Sequence, residues 1–251
     1  MTSTSLESSQ TGRQRIAYGD AEPQFVDFHL PTGTERPPAV AVLIHGGYWR
    51  DRFDLTLMDA LVADTLRRGM AVANVEYRRM GNGGGWPGTG QDVAQAMALV
   101  RKHLGHWNGA VPFVAVGHSV GGQLALLNAA AADAVVALAP VTDLSRADDE
   151  RLGEDAAVAF MGARAADLPS EYAAASPLRQ LPFGCPVLVL HGDVDARVPV
   201  GHSRDFVTAA RAAGDAIDYR EVPGMDHMAA INPSASHWAA AAAWMAAQRT
   251  R

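Results

Sequence analysis

Gly117-His118-Ser119-Val120-Gly121-Gly122 is the stretch on which the fold of this 251-residue chain turns. The apolar run Val111 to Val116 precedes it and reads as a strand; the Ala- and Leu-rich stretch Gly122 to Ala132 follows and reads as a helix. A serine held between two glycines at a strand-to-helix junction sits on a sharp turn, where the glycines remove side chains that would collide. Such a turn lifts the Ser119 hydroxyl off the sheet edge, and the helix N-terminus favours negative charge developing nearby. Ser119 is therefore the candidate nucleophile.

Outward from this turn, strands and helices alternate. Strands are expected at Ala39 to Ile44, Met70 to Tyr77, Ala134 to Leu138, Pro186 to Leu190 and Ala216 to Val222. Helices are expected at Leu55 to Arg68, Gln91 to Leu104, His202 to Ala213 and Ser234 to Gln248. Continuous apolar strands mean burial on both faces, so the pattern implies an α/β fold with a mostly parallel sheet flanked by helices. One segment, 141–181, breaks the rhythm: it is rich in Asp, Ala and Arg, carries Pro169 and Pro177, and offers no good strand. Forty residues are long for a connection, so a small helical cap over one end of the sheet is expected, a pair of ordinary surface helices being the plainer alternative. Residues 1–20 read as a flexible polar tail and 21–251 as one domain.

Composition narrows the function. Hydrophobic residues make up 48% and charged residues 19%, enough for a large core, and a net charge of −6 argues against a nucleic-acid partner. The single cysteine, Cys185, excludes an internal disulfide or a thiolate zinc cluster. Met1 to about Asp20 lacks the apolar core of a secretory signal, and the longest apolar run, Trp238 to Ala247, falls short of the ~18 residues a membrane span needs. A soluble cytoplasmic protein without a membrane partner is expected; a homodimer is an open alternative to a monomer.

Serine needs a base. His227, in Gly224-Met225-Asp226-His227-Met228, lies on the loop after a late strand, at the same sheet edge as Ser119. Its orienting carboxylate is expected to be Asp195, in His191-Gly192-Asp193-Val194-Asp195, with Asp193 as the rival; Asp226 is too close in sequence to reach its neighbour's imidazole well. The turn His45-Gly46-Gly47-Tyr48-Trp49 follows the strand ending at Ile44 and offers backbone N–H groups for an oxyanion, those of Gly47 and Tyr48, with that of Val120 as complement. Trp49, Trp86 and His118 are expected beside the substrate, the two tryptophans being equally readable as core or rim aromatics.

Two further patterns are weak. Gly83-Gly84-Gly85-Trp86-Pro87-Gly88 contains G-x-G-x-x-G, but no carboxylate follows at the next strand end and Pro87 removes a donor, so no nucleotide cofactor is expected. His45 and His191 each begin an H-G turn, a position explained by loop hydrogen bonding better than by metal binding.

His45 to Trp49 (H-G-G-x-W) and Gly117 to Gly122 (G-H-S-x-G-G), with the order Ser, Asp, His, resemble the α/β-hydrolase family, over nearly the whole chain after the tail. Within it they are similar to the kynurenine formamidase and small carboxylesterase branch. The resemblance implies an eight-stranded sheet whose first, antiparallel strands begin near Phe25 to Leu30, no cofactor, and hydrolysis of a small-molecule ester or formamide through an acyl-enzyme. The other readings are kynurenine formamidase specifically, or a non-catalytic ligand-binding receptor on the same fold.

Overall fold

The computed structural model describes residues 12–107 and 109–251. Eight strands, β1 (Arg13–Ala17), β2 (Phe25–His29), β3 (Val40–Ile44), β4 (Ala71–Val75), β5 (Phe113–His118), β6 (Ala134–Leu138), β7 (Val187–Gly192) and β8 (Ile217–Val222), form one sheet in the order β1-β2-β4-β3-β5-β6-β7-β8. The pairings of β1 with β2 and of β2 with β4 are antiparallel; all others are parallel. Strands β3 to β7 are buried throughout their length, as their unbroken apolar sequences require.

Alternate residues of these strands supply two cores. Val42, Ala73, Ala115, Val135 and Val189 pack under α2 (Gly88–His103), α3 (Val120–Leu127) and α7 (Gly201–Ala212). Leu43, Val72, Val116, Val136 and Leu190 pack under α1 (Asp59–Arg67) and α8 (Ser236–Ala246). The last helix is fixed to the first by a 2.7 Å bond from Trp238 Nε1 to Asp64 Oδ2. Full burial of a Val or Leu side chain contributes roughly 1.5–3 kcal/mol, so these two layers hold the sheet together.

Two expectations need correction. The stretch Leu55 to Arg68 is not one helix: a 3-10 turn, Leu55–Met58, capped by the Asp54 carboxylate, precedes α1. Residues 13–17, read as part of a flexible tail, form edge strand β1. Its alternating arginines reach across to β2, where Asp27 accepts Arg13 at 2.6 Å and Arg15 at 2.7 Å. Residues 1–11 of the expected tail lie outside the described residues.

Segment 141–181 holds α4 (Leu144–Asp149), α5 (Leu152–Met161) and α6 (Pro169–Ala175). Gly153, Glu154 and Asp155 carry left-handed φ values near 60°, so α5 turns sharply before becoming regular. Its apolar residues Leu144, Ala156, Phe160 and Tyr172 form a third cluster with Trp49 and Val120. The register aligns Ile44 with Gly117 and His118 with Leu138, so the loops after β3, β5, β7 and β8 leave the sheet at one carboxyl edge.

Candidate active site

Ser119 follows β5 with φ 59° and ψ −121°, and its N–H donates to Leu138 O at 2.8 Å. A non-glycine residue in this region costs on the order of 1–3 kcal/mol, and the neighbours make it the one way through. A Cβ at Gly117 would overlap the Gly121 carbonyl, and one at Gly121 would overlap the carbonyls of Ile44 and His45. The helix thus starts against the sheet, and Ser119 is forced up at its N-terminus.

Ser119 and His227 line one cavity of about 150 Å³ with Gly47, Tyr48, Phe53, Leu57, His118, Arg197 and Met228. His227 Nδ1 donates to Asp195 Oδ2 at 2.6 Å. That bond fixes the proton on Nδ1 and leaves Nε2 as a lone pair with no partner among the described residues. Of the other carboxylates weighed, Asp193 accepts from Gly224 N–H at 2.6 Å and Asp226 from Ala229 N–H at 2.8 Å, so neither orients the imidazole.

Asp195 is held from several sides. Its Oδ1 accepts from the N–H groups of Arg197 and Val198 at 2.8 and 2.9 Å, and His191 Nε2 stands 3.3 Å from its Oδ2. Burial pushes its pKa up, but the bonds from His191, His227 and Val198 outweigh it and hold the carboxyl well below the usual range. It is an ionised partner for an imidazole at any ordinary pH.

The turn after β3 runs through positive φ at Gly47 (116°), Tyr48 (54°) and Trp49 (55°). The N–H groups of Gly47, Tyr48 and Val120 find no acceptor among the described residues. The turn's base is rigid: Tyr77 Oη donates to His45 O at 2.7 Å, and the buried His45 ring meets Glu76, itself paired to Arg79. Gly153 lies against the Tyr48 ring, and Arg50 donates to Gly153 O at 2.6 Å, fastening α5 to this turn.

Of the three residues expected beside substrate, only His118 lines the cavity. Its Nε2–H donates to His227 O at 3.0 Å while Nδ1 is buried without a partner. Burial, and next His227, push its pKa down to about 3, so it stands neutral. Trp49 and Trp86 do not line the cavity. Trp49 is 2% exposed, donates from Nε1 to Gln123 Oε1 at 3.0 Å and stacks on Phe160 at 4.5 Å. Trp86 meets the same Phe160 edge-on at 6.4 Å. Both serve the packing of segment 141–181.

Sequence reasoning missed Phe53, Leu57, Arg197 and Met228 in the cavity wall, and Gln123 behind it. Gln123 joins Trp49 to α6 by donating from Nε2 to Ala175 O at 2.8 Å. Its signal was its place four residues after Ser119, one helical turn on. Arg197 and Met228 were betrayed only by adjacency to Asp195 and His227.

His45 and His191 spend their ring nitrogens on protein partners, His191 on Ser203 at 2.7 Å and Val198 O at 2.9 Å. Among the described residues no group of three or more His, Cys, Asp or Glu side chains is placed to hold a metal, and no helix is long and apolar enough to cross a membrane. Cys185 is buried, and burial pushes its thiol pKa up.

Residues 26–134, from β2 to the start of β6, match the BD-FAE family model. Over 219 residues, 79% of the chain, the sequence is 30% identical to Esterase LipQ of Mycobacterium tuberculosis; the chain spans about half (51%) of that relative's length. Two solved structures share the fold. A truncated carbohydrate esterase from gut microbiota superposes with a TM-score of 0.81 at 19% identity, covering 94% of this chain and 95% of that one. Thermogutta terrifontis esterase 2, phosphonylated by sarin, does so with a TM-score of 0.72 at 20% identity, covering 89% and 88%. None of the three is named a formamidase. With the eight-stranded sheet and its flanking helices, these similarities show that the chain has the α/β-hydrolase fold.

Proposed function

We propose that the protein is a serine hydrolase that cleaves a small carboxylic ester through an acyl-enzyme on Ser119. The observation that carries this reading is the Asp195–His227 pair, whose free Nε2 belongs to a residue sharing the Ser119 cavity. Ser119 Oγ attacks the ester carbonyl and its proton passes to His227 Nε2. The C–O bond to the alcohol then breaks, and the alcohol leaves with that proton. Water, deprotonated by the same nitrogen, attacks the acyl carbon; the acid departs and Ser119 recovers its proton. The N–H groups of Gly47, Tyr48 and Val120 are the donors to the oxyanion in both steps.

A cavity of about 150 Å³ favours a short acyl group; an engineered apolar cavity of ~150 Å³ takes up benzene. A formyl group also fits, which keeps formamide hydrolysis, as by a kynurenine formamidase, as the second reading. Segment 141–181 is the cap of this site, since it packs on Trp49 and Val120 beside the oxyanion donors.

The test is labelling with a fluorophosphonate probe and turnover of p-nitrophenyl acetate. Wild type should label and turn over; Ser119→Ala should not label, and His227→Ala should lose turnover. Undiminished labelling of Ser119→Ala would refute the assignment, and absence of turnover in the wild type would favour a receptor. Acyl esters of graded length assayed beside N-formylkynurenine separate ester from formamide.

A further inference from the structure

Arg197 stands in the wall of the Ser119 cavity, and none of the other lining residues carries a carboxylate. Many of the chain's arginines, among them Arg78, Arg79, Arg146, Arg164 and Arg204, meet an Asp or Glu. Among the described residues the Arg197 guanidinium forms no ion pair and no hydrogen bond. The nearest acid in sequence, Asp195, is already used, Oδ1 by the N–H groups of Arg197 and Val198 and Oδ2 by His227. The first of those bonds fixes the backbone of Arg197 to the carboxylate that orients the imidazole, so the root of the side chain is as rigid as the site itself. The charge reaches Tyr48 and His118 across the cavity.

We infer that Arg197 is a specificity residue that selects substrates carrying a carboxylate, the class being monoesters of dicarboxylic acids or esters of hydroxy acids. This rests on the hydrolase reading of Ser119. An unpaired guanidinium beside a cavity otherwise lined by Gly47, Tyr48, Phe53, Leu57 and Met228 puts a positive charge and no carboxylate in the wall itself, Asp195 being turned to His227 behind it, with an apolar wall for the carbon chain. Its planar fork of N–H donors matches a carboxylate two bonds at a time. A neutral ester gains nothing from that charge, and a cationic one is repelled.

The experiment measures kcat/KM in a pH-stat for two matched pairs. Monoethyl succinate against ethyl butyrate places the carboxylate on the acyl side; 4-acetoxybenzoate against phenyl acetate places it on the alcohol side. In wild type at least one pair favours the anionic ester. Arg197→Gln lowers that anionic-to-neutral ratio by roughly fivefold to tenfold, the range between an exposed ion pair and a hydrogen bond to a charged group. Arg197→Glu inverts it, and Arg197→Lys restores part of it. The preference should also weaken as salt rises, because Arg197 is exposed. The ratio is the readout because a folding defect scales both members of a pair alike. Turnover of all four esters with ratios that do not change in Arg197→Gln overturns this inference alone. No turnover of any ester by wild type overturns it together with the hydrolase reading.

Discussion

His227 Nδ1 is tied to Asp195 Oδ2 at 2.6 Å, while the other oxygen of Asp195 is held by the backbone N–H groups of Arg197 and Val198. The pair is thus a rigid unit in which the imidazole has one tautomer. Asp195→Asn should keep the shape and lose the tautomer, because an amide can offer N–H where Nδ1–H expects an acceptor. If the proposed hydrolase site works as Ser-His-Asp sites do, kcat should fall by ~10³–10⁴-fold with unchanged circular dichroism. Asp193→Asn, which loses only charge from its bond to Gly224, should change kcat by less than about threefold. Equal losses in the two variants would refute the assignment of Asp195.

The strand-to-helix turn at Ser119, the elbow of the site, makes a sharper stability prediction. A methyl group at Gly121 would enter the carbonyls of Ile44 and His45, both at the end of a fully buried strand, so the backbone itself must move. Gly121→Ala should cost more than ~3 kcal/mol or prevent folding, beyond the usual range for single substitutions. Gly88→Ala meets nothing within 4 Å at the first residue of α2 and should be neutral or stabilise by up to ~1 kcal/mol. Urea titration of the two variants measures the contrast.

These glycines show how far the sequence could be read. The central strands and the elbow were legible because apolar runs and G-x-S-x-G report local requirements of the backbone. Strand β1 was not, since Arg13-Gln14-Arg15-Ile16-Ala17 looks like tail until buried Asp27 supplies its counter-charge from another strand. The carboxylate was narrowed to Asp195 and Asp193 by chain order, but only the loop's turn at Val198 brings one of them to Nδ1. Trp49 and Trp86 misled for the same reason. Trp49 stands two residues from Gly47 in sequence, which suggests the cavity, and Trp86 is expected there as its neighbour; the left-handed backbone at Trp49 instead sends its ring to Gln123 and Phe160, where Trp86 meets the same Phe160. The missing partner of Arg197 is a property of the folded surface alone.

Two buried histidines predict how stability depends on pH. Burial first, with His227 beside one and Arg79 beside the other, pushes His118 and His45 down to about 3. An unfolded histidine titrates near ~6.5, so between pH 6.5 and 3 the unfolded chain binds more protons than the folded one. Their contribution is complete above ~6.5 and is lost as pH falls towards 3. The melting temperature should therefore drop steadily from pH 6.5 to 4.5, before carboxylates such as Asp195, whose pKa is also depressed, begin to matter. His118→Gln keeps a donor for His227 O and removes one titrating group, so its melting temperature should fall less steeply over the same interval. An identical slope in wild type and variant would show that His118 is not held neutral.

Phe160 joins segment 141–181 to the site, and its removal tests whether the two are coupled. Its ring, 2% exposed, stacks on Trp49 and takes Trp86 edge-on, while Trp49 is held by Gln123 on the elbow helix. Phe160→Ala should destabilise the protein by ~3–5 kcal/mol through the cavity it leaves, and Phe160→Leu by less. The functional consequence is distinct from that cost. With Trp49 unsupported, the neighbouring Gly47 and Tyr48 N–H groups lose their fixed direction; if they are the proposed oxyanion donors, their displacement lowers kcat rather than raising KM. Phe160→Ala, assayed well below its melting temperature, should show faster amide exchange across 141–181 and a kcat reduced about tenfold with KM little changed. Faster exchange with an unaltered kcat would mean that segment 141–181 packs on the turn after β3 without steadying it.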